Sequence, residues 1–108
     1  MDIGKTIGRV RKQMGLSQAK LASAVGITQT SLSQIENGVT RPNQKTLNAI
    51  CKEIGIPESL LYVLSIKRED VPDNKKEIYD TLYPSIKDFM IKIFHEGDEG
   101  LSLSERSS

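Results

Sequence analysis

Apolar positions recur along this chain three and four residues apart, the spacing of amphipathic helices, and the alternation expected of strands is absent. Ile3, Ile7, Val10 and Met14 share one helical face, and Gly15 ends it. Leu21, Ala22 and Val25 give a small apolar face to a helix from Ser17 to Val25, with Ser17 as N-cap and Gly26 as a left-handed C-cap. Ile27 bridges to a second short helix that Thr28 caps, that buries Leu32 and Ile35, and that stops at Asn37-Gly38. Two short helices joined by a tight, glycine-containing turn make a helix-turn-helix. After the loop Val39-Thr40-Arg41-Pro42, Asn43 caps a helix from about Gln44 to Ile54, whose inner face is Leu47, Ile50, Cys51 and Ile54. Gly55 stops it. Pro57 is expected in the first turn of a fifth helix that points Leu60, Leu61 and Leu64 inward. The pattern predicts an all-α domain of five short helices over residues 1–65.

The pattern then changes. Residues 66–72 read as a polar connector. Asp73 is placed to cap a new helix, and residues 73–96 carry Ile78, Leu82, Ile86, Phe89, Met90 and Ile93 as an apolar stripe flanked by Tyr79, Tyr83 and Phe94. Pro84 is expected to kink this helix or to split it into a piece ending near Leu82 and one restarting at the proline. All five aromatic residues lie at Tyr62 or later. A stripe of this kind either pairs with a second copy of the chain or folds back on the fifth helix, and pairing is the favoured reading. Residues 97–108 lack a periodic core and read as a disordered tail.

Composition adds little until charge is located. Of 108 residues, one is cysteine, which excludes an internal disulfide and fits a reducing, cytoplasmic setting. No apolar run is long enough for a membrane span, and the N-terminus lacks the apolar core of a secretion signal. The net charge of +1 conceals an asymmetry: residues 1–64 carry eight cations and four anions, residues 65–108 seven cations and ten anions. A basic first part suggests that this part faces a polyanion. Catalytic signals are poor. Gly4-Lys5-Thr6 resembles the tail of a phosphate-binding loop without its upstream glycine or strand. His95 is the single histidine, and Cys51 sits on an apolar helical face. No enzyme activity, cofactor or metal is expected.

The run IGRVRKQMGLSQAKLASAVGITQTSLSQIENGVTRPNQKTLNAICKEIGI resembles the Cro/C1-type (Xre) helix-turn-helix family of bacterial and phage transcriptional regulators. The likeness covers roughly residues 3–64. It rests on LSQ opening the first motif helix, LA-x-x-x-G-I-T through the turn, IENG closing the second, and the RP and TL-x-x-I that follow. The resemblance implies a five-helix, lambda repressor-like fold that binds double-stranded operator DNA, usually as a dimer, with the second motif helix in the major groove.

On that helix the resemblance and the helical period together assign base reading to Gln29, Thr30, Ser33 and Gln34. Gln suits adenine, Thr a thymine methyl, and Ser either a donor or an acceptor. No Arg or Lys lies between Thr28 and Asn37, so A·T positions and DNA shape are expected to dominate. The resemblance likewise implies phosphate contacts from Gln18 at the start of the first motif helix and from Asn37, Thr40, Arg41 and Lys45 around the following loop. The family pattern makes Arg11 and Glu36 a structural ion pair. Without that pattern the four reading residues would be ordinary solvated helix positions, as Arg9 and Lys12 are expected to be. The function these readings support is a repressor acting as a homodimer on a pseudo-palindromic operator. The alternatives are an antitoxin or restriction–modification controller whose C-terminal segment holds a small protein partner, and an adaptor that binds protein instead of DNA.

Overall fold

The computed structural model describes residues 1–94, and the tail expected at residues 97–108 and His95 lie outside the described residues. Six α-helices follow in order: α1 (Ile3–Gln13), α2 (Gln18–Val25), α3 (Gln29–Glu36), α4 (Gln44–Ile54), α5 (Glu58–Ser65) and α6 (Lys76–Phe94). Local chemistry sets the starts of the first four. Asp2, Ser17, Thr28 and Asn43 each accept a hydrogen bond from the backbone amide three residues on, at 2.8–3.0 Å. Each bond satisfies one of the donors that a helix N-terminus leaves unpaired. At the break between α2 and α3 the chain reverses through Gly26 at φ 81°, a left-handed conformation that a Cβ would strain.

The core is built from the positions that the periodicity singles out, with Ile56 added from the turn before α5. Ile7, Val10, Leu21, Leu32, Ile50, Ile54, Leu60 and Leu61 are fully buried, and Ile35, Leu47, Cys51, Ile56 and Leu64 nearly so. α1 packs on α3 and α5, and α2 packs on α3 and α4. Two glycines make the α1–α3 contact possible. A Cβ on Gly4 would lie 1.9 Å from the Ile35 carbonyl oxygen, and one on Gly8 would lie 3.1 Å from the Glu36 carboxylate. With neither side chain present, the end of α3 rests directly on the α1 backbone.

From Pro57 onward the structure departs from expectation at three points. Pro57 is the N-cap of α5, with extended ψ of 159°, rather than a residue of its first turn. An extended proline supplies no side-chain cap, and Glu58 provides the acidic first turn. The segment expected to be a plain connector contains a 3₁₀ turn, Arg68–Asp70, tied down at both ends. Arg68 makes a two-pronged ion pair with Asp80 at 2.9 and 3.1 Å, and the Met1 amine reaches Asp70 at 2.6 Å. Asp73 opens a second 3₁₀ turn, Asp73–Lys75, and α6 proper begins at Lys76, whose ammonium pairs with Asp73 at 3.1 Å. Of the two outcomes expected at Pro84, division does not occur: α6 runs through it as one helix of 19 residues. The proline removes one amide donor, but the helix is held to the same body on both sides of it. The Tyr79 and Tyr83 hydroxyls donate to the carbonyls of Ile66 and Val63, and Ile91 is buried beyond the proline.

This docking divides the apolar surface of α6. Tyr79, Tyr83, Met90 and Ile91 face α5 and the core. Ile78, Leu82, Ile86, Phe89 and Ile93 are 50–59% exposed. At 100° per residue the exposed five fall within about 80° of one another, whereas Met90 is a further turn-step round and lands on the inner side. Met90 therefore leaves the expected stripe, and the other five form it.

Candidate nucleic-acid interface

The helix-turn-helix is held by a buried ion pair. Arg11 Nε and Nη2 donate to the two carboxylate oxygens of Glu36 at 2.7 and 3.0 Å, and Arg11 Nη1 donates to the Leu16 carbonyl at 2.8 Å. Both side chains are 8% exposed. The two-pronged geometry fixes distance and angle together. Arg11 lies in the last turn of α1 and Glu36 ends α3, so the pair sets how α3 leaves the body. Burial alone would raise the Glu36 carboxyl. The hydrogen bonds from Arg11 and Gln18 and the guanidinium charge outweigh it and hold the pKa below the ordinary glutamate value.

The same carboxylate organises the polar surface outside. Gln18 Nε2 donates to Glu36 Oε1 at 3.0 Å, and Gln18 Oε1 accepts from Gln29 Nε2 at 3.5 Å. Arg11, Glu36, Gln18 and Gln29 thus form a chain of contacts from α1 through α2 to the first residue of α3. Gln29, Thr30 and Gln34 are exposed on α3, and Ser33 is half-buried, with its hydroxyl accepting from Asn37 Nδ2 at 3.4 Å. The loop after α3 is pinned back on it, since the amides of Val39 and Thr40 donate to the Gln34 carbonyl at 2.9 and 3.3 Å. Asn37, Thr40 and Arg41 are exposed on that loop, and Lys45 is exposed in the first turn of α4.

The result is a polar ledge with an uncharged centre on α3 and cations on one flank. It exposes amide and hydroxyl groups on α3 beside the cations Arg41 and Lys45. Sequence reasoning did not find Gly4 and Gly8, which let α1 approach α3. The signal was available in two glycines four residues apart, on one face of an otherwise good helix. Among the described residues no group of His, Cys, Asp or Glu has the arrangement to hold a metal ion, and no helix is long and apolar enough to cross a membrane.

A fold of this order, with an exposed polar α3 braced from behind, defines a helix-turn-helix DNA-binding protein. The family description helix-turn-helix matches residues 7–61, and the chain belongs to this family in its Cro/C1-type form and is a DNA-binding transcriptional regulator. Among relatives, the ImmF control region 10 kDa protein of Bacillus phage phi105 is 37% identical over 65 residues, covering 60% of this chain and 72% of that protein. The immunity repressor protein of the same phage is 32% identical over 82 residues, 74% of this chain and 57% of its own length. Antitoxin PezA of Streptococcus pneumoniae serotype 4 is 26% identical over 118 residues, reaching 98% of this chain and 68% of the antitoxin. No solved structure gives a significant match.

Proposed function

We propose that this chain is a cytoplasmic repressor that occupies a pseudo-palindromic operator as a homodimer. Gln29, Thr30, Ser33 and Gln34 read bases from the major groove, and Gln18, Asn37, Thr40, Arg41 and Lys45 hold phosphates. The observation that carries this reading is the contact chain from buried Glu36 through Gln18 to Gln29, which presents the start of α3 in one orientation. A preset orientation lowers the ordering cost of binding. The exposed stripe of Ile78, Leu82, Ile86, Phe89 and Ile93 supports a two-fold assembly, because burying it against a second α6 removes five large apolar side chains from water. The likeness to a phage immunity repressor supports repression over activation. Selection of bound sequences from random DNA tests the proposal. The expected product is an A·T-containing inverted repeat with half-site centres about one helical turn apart. Recovery of no enriched repeat refutes it. With few cations on the ledge, the salt slope is expected to be shallower than about −8 per dimer.

The likeness to antitoxin PezA over nearly the whole chain, α6 included, supports a second reading in which the stripe holds a small protein partner rather than a second copy. The mass of the purified chain in solution separates the two: a stable dimer favours the repressor, and a monomer the antitoxin.

A further inference from the structure

A groove runs along the seam between α1, the C-terminal end of α5 and α6, away from the polar ledge. Its volume is about 400 Å³, within the range of small-molecule sites. Four cations from three separate segments line it: Lys5 and Arg9 of α1, Lys67 after α5, and Lys87 of α6. The one carboxylate in the lining is Asp2, which accepts the Lys5 amide as the cap of α1. Among the described residues no carboxylate after α5 lines the groove. Tyr79 and Tyr83 form a wall, stacked with ring centroids 4.7 Å apart, and Lys87 Nζ lies 5.8 Å from the Tyr83 ring.

A simpler account would assign these cations to the negative end of the α5 dipole. That end is already served. Arg9 donates to the Leu64 carbonyl at 3.2 Å, the Tyr79 and Tyr83 hydroxyls donate to Ile66 and Val63, and the Ser65 hydroxyl donates to Leu61. Lys5, Lys67 and Lys87 are surplus to it, and among the described residues none of the three forms an ion pair with a carboxylate. Arg9 spends only part of its donor fork on Leu64. Nor does DNA account for them, because the lining shares no residue with the ledge of Gln18, α3 and the Arg41 loop.

We propose that this groove binds a small organic or inorganic anion carrying two or more negative charges, phosphate or carboxylate in kind. Charges converging from α1, the segment after α5 and α6 select for multiple charge, since a singly charged anion cannot satisfy cations spread along the seam. The ligand bridges α1 and α6, so binding fastens α6 to the DNA-binding body. The site does not depend on the dimer or operator reading above.

The test titrates the full chain, isotopically labelled, with inorganic pyrophosphate and separately with citrate, against sodium chloride at matched ionic strength. The expected result is saturable movement of the Tyr79 and Tyr83 ring signals and the Lys67 amide, with a melting temperature raised by about 4 °C above the chloride control. Lys5→Gln with Lys87→Gln, or Lys67→Gln with Lys87→Gln should the first pair fold poorly, weakens binding at least about tenfold. Lys52→Gln, on the exposed side of α4, leaves it unchanged. Pyrophosphate outcompeting citrate assigns a phosphate ligand, and the reverse a polycarboxylate. Movements that merely follow ionic strength, that centre on Gln29, Thr30, Arg41 and Lys45, or that persist in both double variants overturn the proposal.

Discussion

The five-helix body and α6 are written in the same alphabet of apolar residues three and four apart, but they end in opposite conditions. In the body, Ile7, Leu21, Leu32, Ile50 and Leu61 lose all contact with water. In α6, Ile91 alone among the described residues is comparably buried, while five large apolar side chains remain half exposed. The difference lies in breadth. An apolar arc on a body helix is about as wide as the seat its neighbours offer, so one packing event covers it. The apolar and aromatic arc of α6 is wider. Its inner half, carried by Tyr79, Tyr83, Met90 and Ile91, is seated on α5, and the outer half is left over. Helical periodicity thus reports that a face will be buried without reporting how many partners it takes.

The sharpest way to break the contrast is to remove the brace of the body. Glu36→Ala leaves the Arg11 guanidinium buried and unpaired, and is expected to lower unfolding free energy by ~3–5 kcal/mol in denaturant titrations. Next comes a matched pair. Leu61→Ala, in the closed core, is expected to cost about 2–5 kcal/mol, whereas Leu82→Ala, on the open stripe, changes monomer stability by no more than about 0.5 kcal/mol. The same Leu82→Ala should weaken self-association measured by ultracentrifugation, an effect Leu61→Ala lacks in its folded fraction. Equal costs at the two positions would mean that the stripe is covered within one chain.

Acid is expected to act more weakly and mainly on the body. Glu36 titrates below its unfolded value, so the native state binds fewer protons between the two values. Its contribution is complete at neutral pH and is lost as pH falls through about 4 and below. Asp80, held low by Arg68, and Asp70, held low by the Met1 amine, carry the same sign but are exposed and contribute less. Denaturant midpoints between neutrality and pH 3 give the slope, and a flat profile contradicts the role of Glu36. The smallest effect concerns Cys51, whose thiol burial and the nearby Glu58 charge push up to about 11. At pH 8 it is expected to react with a thiol reagent only as fast as α4 opens.

Much of this was legible in the chain. Caps at Ser17, Thr28 and Asn43, the stops at Gly26 and Gly55, and the core faces of α1 to α5 are local signals, and local hydrogen bonding decides them. What escaped was non-local. Pro84 reads as a kink or a break because its missing amide is written in the sequence, whereas the docking on either side of it, which keeps α6 in one piece, is not. In place of a cap at Asp73, a 3₁₀ turn leads into α6, and the Asp73 carboxylate pairs with Lys76. At the interface, the identities of Gln18, Gln29 and Glu36 were readable, but not that one carboxylate links all three. The groove between α1 and α6 was invisible, because its four cations are scattered over residues 5–87 and meet only when α6 folds back.

The vacancy at Gly4 bears on how such a protein can change over generations. Where a helix of a DNA-binding domain stands on a bare stretch of backbone, substitution at that stretch moves the helix without changing any of its own side chains. Any side chain at position 4 must push the Ile35 carbonyl aside, and α3 with it. The exposed α3 positions Gln29, Thr30 and Gln34 are therefore open to change, whereas position 4 is nearly closed to it. A lineage that keeps this glycine can exchange letters on the outer face of α3 while the angle of that helix stays inherited.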